Sequence, residues 1–109
     1  KSFDHASRMV FEIRETEEFR LVFDTLEPIE KEWLLKIVEQ LKQNPYSGKP
    51  LGFHWFREKK FEGKRLYFLI YQNKQIVLLA SFGDKKDQQK TIEFILENKN
   101  RYRRILENA

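Results

Sequence analysis

FHWFREKKFEGKRLYFLIYQNKQIVLLASFGDKKD, from Phe53 to Asp87, holds three candidate strands and most of the sharply placed basic residues. Within it Arg65–Gln72 alternates strictly, with Leu66, Phe68 and Ile70 on one side and Arg65, Tyr67, Leu69 and Tyr71 on the other, the period of a β-strand. Ile76 to Ser81 (IVLLAS) is nearly continuous in apolar residues, as expected of a central strand covered on both faces. Phe53 to about Lys60 reads as a third strand of mixed character. Glu62–Gly63 and Asn73–Lys74 are the expected turns, and Gly83–Asp84 ends the last strand. Leu66, Phe68 and Ile70 are expected to face a helical layer. The Arg65 and Tyr67 side is expected to present a cationic, aromatic surface.

Working outward, Met9 to Arg14 alternates Met9, Phe11 and Ile13 against Val10, Glu12 and Arg14, which predicts a half-buried strand. Thr16 followed by Glu17 and Glu18 predicts a capped helix start with acids in the favourable first turn. Phe19, Val22, Phe23 and Leu26 give that helix its apolar stripe. Pro28 ends it and suits the first turn of a second helix, whose stripe is Trp33, Leu34, Ile37, Val38 and Leu41. Asn44 to Pro50 reads as a plain loop. After Asp87, Ile92, Ile95, Leu96, Tyr102, Ile105 and Leu106 keep helical spacing, with a bend or break expected near Asn98–Asn100. The predicted fold is α+β: an antiparallel sheet in the order β-α-α-β-β-β-α, with the helical hairpin packed on one face. Residues 1–8 show no period and are expected to be a vector-derived or disordered arm, with Met9 as the native start of one domain over 9–109.

Composition sets bounds on function. The 109 residues include 40% hydrophobic and 15% aromatic side chains, enough for one modest core. There is no cysteine, which excludes disulfides, thiolate metal sites and a cysteine nucleophile. The absence of a long apolar run makes the cytoplasm the expected location, with no membrane partner. The net charge of +4 is unevenly spread. Glu15–Lys42 carries eight acids against four bases, whereas Lys49–Arg65 carries six bases against two acids and Asp84–Arg104 seven against four. That division suggests one face for a polyanion.

Lys85 and Lys86 follow the central strand, so a hairpin brings them near the start of the Arg65 strand. For Phe53–Lys60, alternation alone leaves open which side joins Arg65; placing Phe56 toward the helices favours Arg57 and Lys59 on the Arg65 side. Arg57, Lys59, Arg65, Lys85 and Lys86 would then line one groove with Tyr67, a set able to hold phosphates and stack a base. The alternative is a solvated sheet edge protected by lysines. No glycine-rich phosphate loop and no nucleophile elbow is present. His54, the only histidine outside the first eight residues, reads as a strand residue rather than a catalytic base, and no metal or other cofactor is expected.

The β-α-α-β-β-β order, the loop Asn44-Pro45-Tyr46-Ser47-Gly48-Lys49-Pro50-Leu51, Gly63-Lys64-Arg65 with Tyr71 in its strand, and Leu78–Asp87 (LLASFGDKKD) together resemble the RelE/ParE superfamily of toxin–antitoxin toxins, the RelE-like archaeal branch in particular. The resemblance spans most of Met9 to Arg104. It implies a metal-independent endoribonuclease that cuts mRNA on the ribosome by attack of the RNA's own 2′-OH, held inactive by a cognate antitoxin. By position it implies Arg65, Lys85, Lys86 and Lys59 as catalytic, with Arg57, Lys60, Lys64, Tyr67 and Lys90 contacting RNA. Gln88 and Gln89 stand where RelE-like enzymes often carry a tyrosine, and Tyr102 is expected to pack the last helix. Two other roles stay compatible with the same resemblance: a ParE-like inhibitor of DNA gyrase, and a non-catalytic RNA- or protein-binding module.

Overall fold

The computed structural model describes residues 10–107; Met9 and the predicted arm lie outside them. The elements are β1 (Glu12–Glu15), α1 (Glu17–Phe23), α2 (Pro28–Gln43), β2 (Lys49–Phe53), β3 (Phe56–Phe61), β4 (Lys64–Tyr71), β5 (Ile76–Asp84), α3 (Gln88–Glu97) and α4 (Lys99–Glu107). Single 3-10 turns at Pro45–Ser47, Gln72–Lys74 and Lys85–Asp87 join some of them. Five strands form one sheet in the order β1-β5-β4-β3-β2. β1 runs parallel to β5, and the other neighbours are antiparallel. The sheet is therefore mixed where the sequence suggested a purely antiparallel one. The α1–α2 hairpin and three further strands separate β1 from β5, a long enough connection to allow parallel pairing.

Local chemistry explains each helix boundary. Thr16 caps α1 by accepting from the Phe19 amide at 3.0 Å, and its hydroxyl donates to the Ala80 carbonyl at 2.9 Å. Ala80 is the extra residue where the β4–β5 register shifts between Tyr67 and Phe68, so one threonine serves both the helix start and the bulge. Pro28 opens α2, and Glu27 and Glu30 form a reciprocal capping box before it. The C-terminal helical run breaks at Asn98, which caps α3.

An edge strand stands where a plain loop was expected. β2 contains Pro50 and Gly52, residues that disfavour an interior strand but are tolerated at an edge. Gly52 sits at φ +88°, and the pairing with β3 shifts between Pro50 and Phe53. Phe53 consequently ends β2 rather than opening the next strand. Just before β2, a Cβ at Gly48 would lie 2.7 Å from the Phe68 ring and 3.0 Å from the Glu58 carbonyl oxygen. Only glycine lets the chain pass there.

Both faces of the sheet are buried. Leu66, Phe68, Ile70, Val77, Leu79 and Phe82 meet Phe19, Leu34, Ile37 and Leu41 of the α1–α2 hairpin, as the alternation of β4 predicted. On the other face Phe56, Tyr67, Leu69, Leu78 and Ala80 pack with Ile95 and Tyr102 of α3 and α4. The expectation of an open cationic and aromatic face is thus corrected: α3 and α4 cover its centre, and only its ends reach solvent.

Candidate nucleic-acid interface

The two-residue turn at Glu62–Gly63 pairs Phe61 with Lys64, so Lys60 lies opposite Arg65, Glu58 opposite Tyr67 and Arg57 opposite Phe68. Residues directly opposite each other share a face. Lys60, Glu58 and Phe56 therefore join Arg65 and Tyr67 on the side of α3 and α4. Arg57 and Lys59 point toward the helical hairpin, the reverse of the assignment favoured from sequence.

Arg57 is 8% exposed. Its Nη1 donates to the carbonyls of Tyr46 (3.0 Å) and Gly48 (2.8 Å), and its Nε donates to that of His54 (3.0 Å). Its guanidinium also lies 5.2 Å from the Tyr46 ring centre. This arginine ties the loop before β2 to the β2–β3 turn and is not open to a phosphate. Lys64 pairs with Glu30 of α2 and lies 5.7 Å from the Phe82 ring centre, again on the hairpin side. The contact holds the Glu30 carboxyl below its ordinary value, the Lys64 hydrogen bond being the largest cause.

Arg65 is the central group of what remains. Its Nη1 donates to the carbonyls of Glu62 (3.1 Å) and Lys64 (2.9 Å), which fixes the plane of the guanidinium. Its Nε stands 3.8 Å from Glu58 Oε1, an ion pair too long for a direct hydrogen bond. Glu58 is 3% exposed and takes its short bond, 2.6 Å, from Gln88 Nε2 at the start of α3. Neither Glu58 nor Gln88 was singled out as a site residue in the sequence. Gln88 stands in the region where RelE-like sequences often carry a tyrosine, and that departure is the signal in the sequence.

Lys60 is exposed across from Arg65. The Lys85 amide donates to the Gly63 carbonyl at 2.9 Å, so the chain after β5 returns to the turn that precedes Arg65, as the hairpin argument required. Lys85, Lys86 and Lys90 are all exposed on this turn and the first turn of α3. The end of the sheet thus carries an oriented arginine over a buried carboxylate, with flexible ammonium groups around it. Such a set can clamp one phosphate and hold its neighbours by charge.

Tyr67 does not belong to the accessible part. It is fully buried, and its hydroxyl has no partner of good hydrogen-bond geometry among the described residues. Burial, and then the charge of Glu58, push its phenol above the ordinary value, opposed by the Gln88 amide and Arg65. It cannot stack a base as expected from sequence. His54 is exposed in the β2–β3 turn and stacks on Tyr46, 4.6 Å between ring centres. Tyr102 is buried on the inner side of the last helix, packing it on the sheet as predicted. Among the described residues no group of three His, Cys, Asp or Glu side chains comes together as a metal site, and no helix is long and apolar enough to cross a membrane.

No protein-family model matches the sequence, and no curated protein is similar to it by sequence. Solved structures do match. A double-arginine mutant of the E. coli toxin RelE in the free state superposes with a TM-score of 0.67 at 17% identity, covering 79% of this chain and 98% of that one. The chain has the RelE fold. Two complexes agree: the intact E. coli RelBE toxin–antitoxin complex, with a TM-score of 0.62, 20% identity and coverage of 68% and 95%, and the archaeal RelE–RelB complex from Pyrococcus horikoshii, with 0.61, 8% and coverage of 70% and 96%. The RelE fold places Arg65 on an inner strand at the end of the sheet where the α3 start and the β3–β4 turn meet.

Proposed function

We propose that this chain is the toxin of a toxin–antitoxin pair and that it cleaves mRNA, on the ribosome and hence in the cytoplasm. The observation that carries the reading is the RelE fold with an oriented Arg65 ringed by exposed lysines at one sheet end. The solved RelBE and archaeal RelE–RelB complexes support a cognate antitoxin as partner. An antitoxin segment with an amphipathic helix and acidic side chains would cover the Lys60, Lys85 and Lys86 surface by charge complementarity.

In the proposed reaction the RNA 2′-oxygen attacks the adjacent phosphorus as its proton leaves, and the bond from phosphorus to the 5′-oxygen breaks as that oxygen gains a proton. The products are a 2′,3′-cyclic phosphate and a 5′-hydroxyl. Arg65 donates to a non-bridging oxygen, where negative charge grows in the pentacoordinate state. Glu58, held by Gln88, positions that guanidinium. Lys60, Lys85 and Lys86 supply charge around the scissile phosphate, where it stabilises the growing negative charge. Lys59, on the hairpin side, has no place in this step.

Expression of the wild type should arrest growth, and Arg65→Ala or the Lys85→Ala/Lys86→Ala double variant should relieve it. Full toxicity in both would remove the site assignment. A second reading, a non-catalytic RNA-binding module of the same fold, draws on the burial of Tyr67 and the pairing of Arg65 with Glu58. It requires RNA binding with steep salt dependence and no cut products in the presence of translating ribosomes. A supercoiling assay separates both from inhibition of DNA gyrase.

A further inference from the structure

About six residues along β4 from Arg65, some 20 Å at strand rise, the sheet ends in a cleft that the proposed reaction does not use. Its volume is about 620 Å³, within the range of small-molecule sites. Aromatic rings of Tyr46, His54, Trp55 and Tyr71 line it, and α4 faces them with Lys99 and Arg103. Among the described residues no carboxylate lines it. The rings are held in place. Tyr46 stacks on His54 and donates to Gln72 Oε1 at 2.6 Å, while Trp55 is stacked on Phe53 with 4.7 Å between centres. The remaining cover over the indole is flexible: Lys99 Nζ stands 5.8 Å from its centre, on the exposed first turn of α4. Burial pushes the Tyr71 phenol up to about 12, so this ring stays neutral and adds no negative charge.

We infer that this cleft binds a nucleotide, with the base on the aromatic wall formed by Trp55 and Tyr71 and the phosphate between Lys99 and Arg103. Aromatic faces accept any base, and with no acid among the described lining residues the cationic rim favours an anion. A base that takes the indole face displaces the Lys99 ammonium to the edge of the base, where the phosphate lies. The nucleotide can come from two sources, a free mononucleotide or an unstacked residue of an RNA strand. The inference stands without the toxin reading, because it concerns binding alone.

The chain has two tryptophans, so the indole N–H signals of Trp55 and Trp33 in a two-dimensional NMR spectrum give a reporter and an internal control. Trp33 packs against Phe61 and Phe82 on the opposite face of the sheet. The full chain is titrated with adenosine and uridine 5′-monophosphates, the matching nucleosides, ribose 5-phosphate and a short RNA trinucleotide. A saturable shift of Trp55 but not Trp33 is expected, weaker with nucleoside or ribose phosphate alone. A shift with monomers identifies a free nucleotide site, and a shift only with the trinucleotide identifies a strand subsite. The Lys99→Ala/Arg103→Ala variant, both on an exposed helix, should bind about tenfold more weakly, as loss of charged hydrogen-bond donors requires, and Arg104→Ala, outside the cleft, should bind as the wild type. No Trp55 shift with any nucleotide at millimolar concentration, or equal affinity in the double variant, would overturn the inference.

Discussion

Arg57 and Arg65 sit on neighbouring strands of one sheet and have opposite fates. Arg57 points to the hairpin face and uses its guanidinium on backbone carbonyls of Tyr46, Gly48 and His54. Arg65 points to the face of α3 and α4, near the sheet end, with a buried carboxylate behind it and lysines in front. A buried arginine without solvent must satisfy its donors internally, so it becomes a structural clasp. Arg65 keeps only 12% of its side chain exposed, oriented by two carbonyls, and the open cations beside it are Lys60, Lys85 and Lys86. The role of a basic residue in this sheet follows from the parity of its position and the partners on that face rather than from its charge alone.

That comparison can be broken most directly by Arg57→Ala, which orphans buried carbonyls and opens space between the loop and β3. The expected loss is about 3 kcal/mol of stability by urea unfolding. An unchanged unfolding midpoint would erase the role of Arg57 as a clasp. Gly48→Ala tests the same clasp from the loop side. Its Cβ meets the Phe68 ring and the Glu58 carbonyl, and overpacking of this kind costs about 1–3 kcal/mol. Unchanged unfolding in that variant would show that the loop is free to move away.

Smaller effects bear on Lys64 and Tyr67, two further residues of the predicted site. The Glu30 carboxyl is held below its ordinary 4.5 by Lys64. A lowered folded-state value stabilises the fold above the unfolded-state value, and that contribution is lost as pH falls through the folded value. Lys64→Ala should therefore cost a fraction of a kcal/mol at neutral pH and flatten the stability profile below about pH 4.5; an unchanged acid limb would place the pair outside the fold's energetics. Tyr67→Phe should be smallest of all. The hydroxyl has no well-formed partner, so its removal should shift stability by no more than about 0.5 kcal/mol and leave growth arrest intact. Loss of toxicity with normal folding would return Tyr67 to the reaction.

The sequence carried much of this at the level of elements. The strict alternation of Arg65–Gln72 placed Leu66, Phe68 and Ile70 on the hairpin, and Thr16 and Pro28 marked the helix starts. What was hidden depended on long-range pairing. The apolar spacing of Ile92, Ile95 and Tyr102 announces a helix but does not say that it covers the Tyr67 face. β2 was masked by Pro50 and Gly52, whose usual meaning fails at an edge strand. The parity of Arg57 was recoverable. Taking Glu62–Gly63 as a two-residue hairpin turn and counting back places Lys60 opposite Arg65, hence Arg57 opposite Phe68. Letting Phe56 decide instead gave the wrong face, because apolar residues on β3 are buried on both sides.

The central claim is that Arg65 at the sheet end serves phosphoryl transfer on mRNA. The direct measurement maps 5′ ends of mRNA after incubation of purified protein with programmed ribosomes, wild type beside Arg65→Ala. The account predicts discrete cuts by the wild type and a rate lower by about a hundredfold or more in the variant, the effect of losing a preorganised transition-state donor. Intact mRNA with the wild type, or equal cutting by Arg65→Ala, would contradict it.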